Sequence, residues 1–374
     1  MVEQLREKIY KHRRELHCRA EVGRKEFKTS AYIKSCLNEL KVDYQTYLET
    51  GIVGKIKGNV GNKTIAFRAD IDALITDSSV EHLCGHDGHM SILLGLVEFL
   101  NINKENLNDN IVFIFQPAEE GPGGAKDLIE AGIIEKYNID EIYGLHIYPE
   151  IPQGTVGVRS GYFMAHEGEV NIDIRGKSAH GAMPQNGIDT IMMASNLINS
   201  FQSIVSRNVS PLDNAVFTIG KIEGGSRRNI IAEHVMLEGT IRAFAPEVYE
   251  NIKSRVSDIC RGLEVSYNCT VNINIKDGYP SVKNDKNLYK EFVKAVEMFI
   301  EDEKIIQLDP LMISEDFSYY QREVPGFFFM LGSRNEEKGF VDGLHNLNFN
   351  FDEEILLNGL EVYINLLKYK KSLN

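Results

Sequence analysis

Residues 82–89 read His-Leu-Cys-Gly-His-Asp-Gly-His, which sets a thiol, Cys84, two positions from an imidazole, His86, with a further histidine at His89. A thiolate and an imidazole this close suit a soft-to-borderline divalent metal ion. Gly85 and Gly88 permit the tight backbone path that brings close-set ligands to one point. A buried structural cysteine among capping polar residues is the plainer alternative. The second group is Glu119-Glu120, placed after the apolar run Ile111–Phe115 and before Gly121-Pro-Gly-Gly124. Neighbouring carboxylates repel unless a cation or proton separates them. With a metal, one carboxylate binds the ion and the other remains as a general base. Without one, the pair is a solvated acidic turn.

Other candidates are spread along the chain. Asp70 with Asp72, and His146, stand where apolar strands are expected to end. His345 lies in Gly343-Leu-His345-Asn346, and His180 in Gly176-Lys-Ser-Ala-His180-Gly181. Lone histidines are more often structural, and His17, His82, His89 and His234 are read that way. Cys18, Cys36, Cys260 and Cys269 are read as packing residues.

The elements expected to position these groups alternate between strand and helix. Helices are predicted over 3–16 and 28–40, the second from the 3.6-residue spacing of Tyr32, Ile33, Cys36, Leu37 and Leu40. Strands are predicted at 51–58, 63–70, 111–117 and 141–148, with helical stretches at 89–100 and 123–136. This alternation implies an α/β fold: a mixed, mostly parallel sheet with flanking helices. In open sheets of this type, active sites gather at the carboxyl ends of strands. Near residue 160 the pattern changes to half-exposed alternating strands at 169–175, 215–222, 235–242 and 270–276, with amphipathic helices at 190–205 and 246–263. That is a βαββαβ order, an α+β (ferredoxin-like) unit of one antiparallel sheet under two helices. After Pro280 the chain returns to helix, strand and a last helix. The expected organisation is a catalytic α/β domain in two parts, 1–165 and 279–374, with 166–278 inserted between them.

Composition narrows the function classes. The chain has 374 residues, 43% hydrophobic and 25% charged, as in an ordinary soluble globular protein. This length exceeds what one core usually serves. A formal net charge of −13 argues against a nucleic-acid partner or an anionic membrane surface. The N-terminal residues are charged and lack an apolar signal core, and no run approaches the roughly 18 apolar residues of a membrane span. Five scattered cysteines suggest no disulfide framework, so a reducing cytoplasm is expected.

Taken together, the motifs resemble those of the metal-dependent amidohydrolases that include hippurate hydrolase, aminoacylase-like enzymes, plant auxin-conjugate hydrolases and N-acetyldiaminopimelate deacetylase. The matching segments are 12–17, Phe67-Arg-Ala-Asp-Ile-Asp-Ala-Leu74, Cys84-Gly-His-Asp-Gly-His89, Phe115-Gln-Pro-Ala-Glu-Glu-Gly121, Gly144-Leu-His146, Gly176–His180, Gly239-Thr-Ile-Arg242, Ser314-Glu-Asp-Phe317 and Gly343-Leu-His345. They follow the family's order over nearly the whole chain. The resemblance implies a site for two divalent ions (Mn, Zn, Co or Ni) held by Cys84, His86, Glu120, His146 and His345, with Cys84 bridging. It implies Glu119 as general base, Asp70 as an aspartate supporting a histidine ligand, and His180 as oxyanion stabiliser. Asn229 and Arg242 would hold the substrate's α-carboxylate. The inserted domain would be a lid that in many members also forms a homodimer.

The resemblance implies hydrolysis of an N-acyl amino acid by metal-activated water. N-acetyl-L,L-diaminopimelate is the first choice of substrate, for lysine synthesis, partly on the segment Arg334–Phe340. General N-acyl-amino-acid or hippurate hydrolysis and a small dipeptidase are the alternatives. A non-catalytic metal-dependent binding protein is a remote one, since no ligand or base is missing. The chain departs from the family in a short segment between Leu74 and Cys84, in Ile75 where proline is common, and in Cys18-Arg19 where His-Pro is usual. Arg227 and Arg228 also stand where small residues are usual, which points to a second anionic group on the substrate.

Overall fold

The computed structural model describes residues 2–374. The chain divides into two compact units: residues 1–161, 283–309 and 316–374 form the first, and residues 162–282 and 310–315 the second.

The first unit is built on an eight-stranded sheet. Its order is Tyr44–Tyr47, Gly51–Ile56, Asn110–Gln116, Thr64–Asp70, Glu141–Pro152, Gly326–Arg334, Val156–Val158 and Ile305–Gln307. The four central strands, Asn110–Gln116 through Gly326–Arg334, run parallel to one another. They are also buried along almost their whole length, as expected of strands covered on both faces. The mostly parallel α/β sheet read from the sequence is therefore present, with antiparallel strands toward its edges.

The His86–Ile102 helix is the core element of this unit. It is apolar on nearly every face and buried from His86 to Leu100, so it must be enclosed rather than laid on a surface. It packs against the helices Arg6–His17 and Glu354–Tyr369 and against the Thr64–Asp70 strand. Gly95 is where the first of these approaches most closely, since a Cβ there would lie 2.9 Å from Ile9 Cδ1. The helical stretch expected over 123–136 is instead two short helices, Ala125–Glu130 and Ile133–Tyr137. Gly132, at φ 78°, ends the first by leaving the right-handed region.

The second unit has a four-stranded sheet in the order Ala215–Gly224, His234–Ala243, His166–Arg175 and Thr270–Asp277, every pair antiparallel. Along His166–Arg175 the buried positions alternate, ending in Val170, Ile172 and Ile174. These residues share a core with Leu197 and Phe201 of the Thr190–Ser203 helix and Ile252 and Val256 of the Pro246–Tyr267 helix. Asp189 caps the first helix by accepting from the N–H groups of Ile191 and Met192. Proline opens the second. Among the described residues, no helix is long and apolar enough to cross a membrane.

Candidate metal and catalytic site

The site lies in the first unit, where the turn at Gly85, the Glu119–Glu120 turn, the Glu141–Pro152 strand and the loop of His345 meet. Gly85, at φ 82°, is the residue before the buried helix, and a Cβ there would press on Ile147 at 3.3 Å. That left-handed turn faces Cys84 and His86 into the same space. His146 comes from the Glu141–Pro152 strand, but not from its end. The strand outruns its neighbour Thr64–Asp70, whose pairing stops at Arg68 opposite Gly144. Past that point Ile147 N–H donates to His89 Nε2 at 2.9 Å instead of to a strand.

The ligand-type atoms converge. Cys84 Sγ lies 3.4 Å from His146 Nε2 and 3.4 Å from His345 Nε2. Glu120 Oε1 is 3.6 Å from His345 Nε2 and 3.8 Å from His86 Nε2, while Glu119 Oε2 is 4.0 Å from the latter. The groups that could hold an ion include Cys84–His86–His146 and Cys84–Glu120–His345, two sets sharing the thiol. His345 sits at φ 66°, a conformation uncommon outside glycine, and its N–H donates to Leu83 O at 2.9 Å.

Tautomers and charge both fit a cation. His146 Nδ1–H donates to Ile147 O at 2.7 Å and His86 Nδ1–H to Asp72 O at 3.0 Å. Each ring therefore turns its Nε2 lone pair inward, the usual arrangement of a metal-binding histidine backed by a carbonyl. His86 Nε2 and Glu120 Oε1 are buried without a hydrogen-bond partner. Burial together with the carboxylates of Glu120 and Glu119 pushes the Cys84 thiol well above its usual range. Burial opposes charge on His86, but Asp70, Asp72 and Glu120 outweigh it and raise the imidazole to about 10. A divalent ion among these anionic groups reverses both trends, favouring thiolate and neutral imidazole.

Supporting residues surround this set. Asp70 reaches His86 Nδ1 only at 3.8 Å, and its close partner is His89 at 2.6 Å. Because His89 Nε2 accepts from Ile147, Nδ1 carries the proton given to Asp70. Burial raises the Asp70 carboxyl, yet the fields of His86, His89 and Arg68 hold it well below the usual carboxylate range. The residue in direct contact with His86 is Asp72, through its carbonyl, and Asp72 Oδ2 also accepts Glu120 N–H at 2.9 Å. Arg68 is fully buried and donates to Gln116 (2.9 Å), Asp70 (2.6 Å) and Asp316 (2.8 Å). Glu26, also buried, accepts Ala118 N–H at 2.9 Å and Thr50 Oγ1–H at 2.7 Å, bracing the turn that carries Glu119. Asp72, Arg68, Glu26 and Asp316 acquire these duties only through folding. Arg68 and Asp72 show one local sign, a polar residue inside an otherwise apolar stretch, whereas Glu26 and Asp316 stand among other polar residues.

The remaining candidates belong to the second unit. His180 is in a two-residue strand paired with Ile230, next to Asn229, whose carbonyl accepts Gly181 N–H at 2.8 Å. Ala182 N–H donates to His180 Nδ1 at 3.1 Å, so Nε2 carries the ring proton on an exposed side chain. Arg242 is engaged inside its unit, donating to Thr240 Oγ1 (2.6 Å) and Ile241 O (3.0 Å) and lying 3.1 Å from Glu167. His17 and His234 pair with Asp87 and Asp173.

The chain is 41% identical over 371 residues to a protein of Exiguobacterium sibiricum named N-acetyldiaminopimelate deacetylase, covering 96% of each. A crystal structure of a protein from methicillin-resistant Staphylococcus aureus superposes with a TM-score of 0.92 at 31% identity, covering 99% of this chain and 97% of that one. A dinuclear metal-binding peptidase of the M20 family from Bacillus subtilis superposes at 0.83 with 29% identity, covering 97% and 98%. The sequence model of peptidase family M20/M25/M40 matches residues 66–369, a span containing every ligand-type residue gathered around Cys84. The chain belongs to that family.

Proposed function

We propose that the chain is a metal-dependent amidohydrolase that deacetylates N-acetyl-L,L-diaminopimelate, releasing acetate and diaminopimelate for lysine synthesis. The relative's name supports the substrate, and one contact carries the chemistry: Cys84 Sγ stands 3.4 Å from both His146 Nε2 and His345 Nε2. Cys84, His86, Glu120, His146 and His345 would hold two divalent ions (Mn, Zn, Co or Ni), which when bound supply Lewis acidity at the amide carbonyl and to water.

The chain's own groups do the rest. Glu119 is buried beside the ligand set, and its carboxylate takes the proton of the attacking water and returns it to the leaving amine. Asp72 orients His86 through its carbonyl, and Asp70 acts through His89, whose Nε2 accepts from the Ile147 N–H beside His146. His180 offers Nε2–H to the oxyanion, from this chain or from a second copy in a homodimer formed through residues 166–278. Asn229 and Arg242 receive the α-carboxylate, which requires Arg242 to exchange its contact with Glu167 for the substrate's. Residues 166–278 act as an inserted lid between the two parts of the catalytic domain, 1–165 and 279–374. A cytoplasmic location, with neither nucleic acid nor membrane as partner, agrees with the net charge of −13.

A panel of N-acylated amino acids assayed with Mn²⁺, Zn²⁺ or Co²⁺ tests this. N-acetyl-L,L-diaminopimelate is expected to exceed N-acetylmethionine in kcat/KM. Equal rates would defeat the substrate assignment, and turnover of neither would defeat the amidohydrolase.

A further inference from the structure

The first unit holds a cavity of about 350 Å³ whose lining includes His345 but otherwise consists of residues with no part in the proposed chemistry. One wall is a small hairpin, Leu74–Ile75 paired with Val80–Glu81. Its turn is closed by Thr76 N–H donating to Ser79 O at 2.9 Å and Ser79 N–H to Thr76 Oγ1 at 3.0 Å. The other wall is the loop that carries His345 and Leu347, joined to the hairpin's base by the His345–Leu83 backbone bond. Ile75 is 73% exposed and Leu347 67%, unusually open for large apolar side chains that line a cavity. The tip of the turn adds Asp77 and Ser78. Asp77 is exposed and forms no ion pair among the described residues, so its carboxylate is free to meet a cation.

A cavity walled by Leu74, Ile75, Leu83 and Leu347, with ligand-type His345 and the Asp77 carboxylate also in its lining, matches an alkyl chain that ends in an ammonium group. The volume lies at the small end of ligand pockets, suited to a side chain rather than a whole peptide. We propose that this cavity is the side-chain subsite of the amino-acid substrate, with Ile75 and Leu347 covering the methylenes and Asp77 pairing with a terminal ammonium. The inference rests on the amidohydrolase reading above and deepens it. The remote end of N-acetyl-L,L-diaminopimelate carries such an ammonium, whereas N-acetylmethionine and hippurate carry none.

Nα-acetyl-L-lysine and N-acetyl-L-norleucine differ at the chain end by this charged group and test the subsite without requiring the second carboxylate. A charge-assisted hydrogen bond should favour the lysine compound by about tenfold or more in kcat/KM. In Asp77→Asn the preference should shrink to about twofold or less, through loss on the lysine compound alone. Asp77→Lys should reverse it, and added salt should weaken it in the wild type. Asp77 makes no hydrogen bond that folding needs, so both variants are expected to fold. A wild type that treats the two compounds alike, or an Asp77→Asn that slows both equally, overturns the subsite and leaves the amidohydrolase reading intact. Turnover of neither compound, nor of any other N-acyl amino acid, overturns both.

Discussion

Asp72 supports two ligand-type residues from opposite ends of itself: its carbonyl accepts His86 Nδ1–H at 3.0 Å, and its carboxylate accepts Glu120 N–H at 2.9 Å. One buried residue thereby fixes the ring of the first and the backbone of the second. Replacing it with alanine keeps the carbonyl but strands the Glu120 N–H. Asp72→Ala is expected to weaken metal binding about 10–100-fold, read by competition with a chelator. An unchanged affinity would show that the contact is incidental.

Arg68 lies between Asp70 and Asp316 with no access to solvent, and Gln116 closes the group. Removing the cation leaves two buried carboxylates unbalanced. Arg68→Met should cost about 3–5 kcal/mol of folding stability in urea titration. A loss below about 1 kcal/mol would mean that Asp70 and Asp316 are compensated by other groups.

How far the site was readable from the chain depended on sequence distance. Cys84 with His86, and Glu119 with Glu120, are close in the primary order, so their proximity is local geometry. His146 and His345 are single residues whose meeting at Cys84 depends on sheet order and on an unusual φ at His345. The support given by Asp72 runs partly through a backbone carbonyl, which no side-chain pattern reveals. Arg68 and Asp316 are 248 positions apart. In the fold, the buried central strands were plain from their continuous apolar runs. Tyr44–Tyr47, Val156–Val158 and Ile305–Gln307 were not, being three or four residues long at or near the sheet edges. At Gly132 helical composition hid a break that only the backbone's left-handed turn made clear.

A cation held only by the folded chain must stabilise it, by about 2.7 kcal/mol at one hundred times its dissociation constant. Chelation is therefore expected to lower Tm, and Zn²⁺ or Mn²⁺ to restore it. Cys84→Ser should lose most of that response, because both ligand groups share the sulfur. An equal metal-induced rise in the variant would argue against a shared thiolate.

His12 provides a pH test remote from the ligand set. It is packed in the Arg6–His17 helix with Nδ1 2.9 Å from Tyr32 Oη, and burial pushes it down to about 4 from 6.5 despite the field of Glu98. The folded state therefore binds this proton less readily than the unfolded chain. The contribution is complete above pH 6.5 and is lost as pH falls toward 4. Across that window stability should drop by up to about 1.4 kcal/mol per pH unit from this residue. In His12→Gln the slope of unfolding free energy against pH should flatten by up to one proton. An unchanged slope would contradict a half-buried imidazole that stays neutral.

The base role proposed for Glu119 can be tested separately from the ligands. Glu119→Gln should lower kcat about 10²–10⁴-fold while metal content stays at the wild-type level. Near-normal turnover would remove the residue from its proposed role.

The central claim is that one sulfur joins two ions. Crystals of the zinc-loaded protein, with anomalous differences recorded at the zinc edge, test it directly. The expected map has two peaks, each about 2.3 Å from Cys84 Sγ, with His86, Glu120, His146 and His345 as the remaining protein ligands of the pair. A single peak, or two peaks of which one lies out of reach of Cys84, would contradict it.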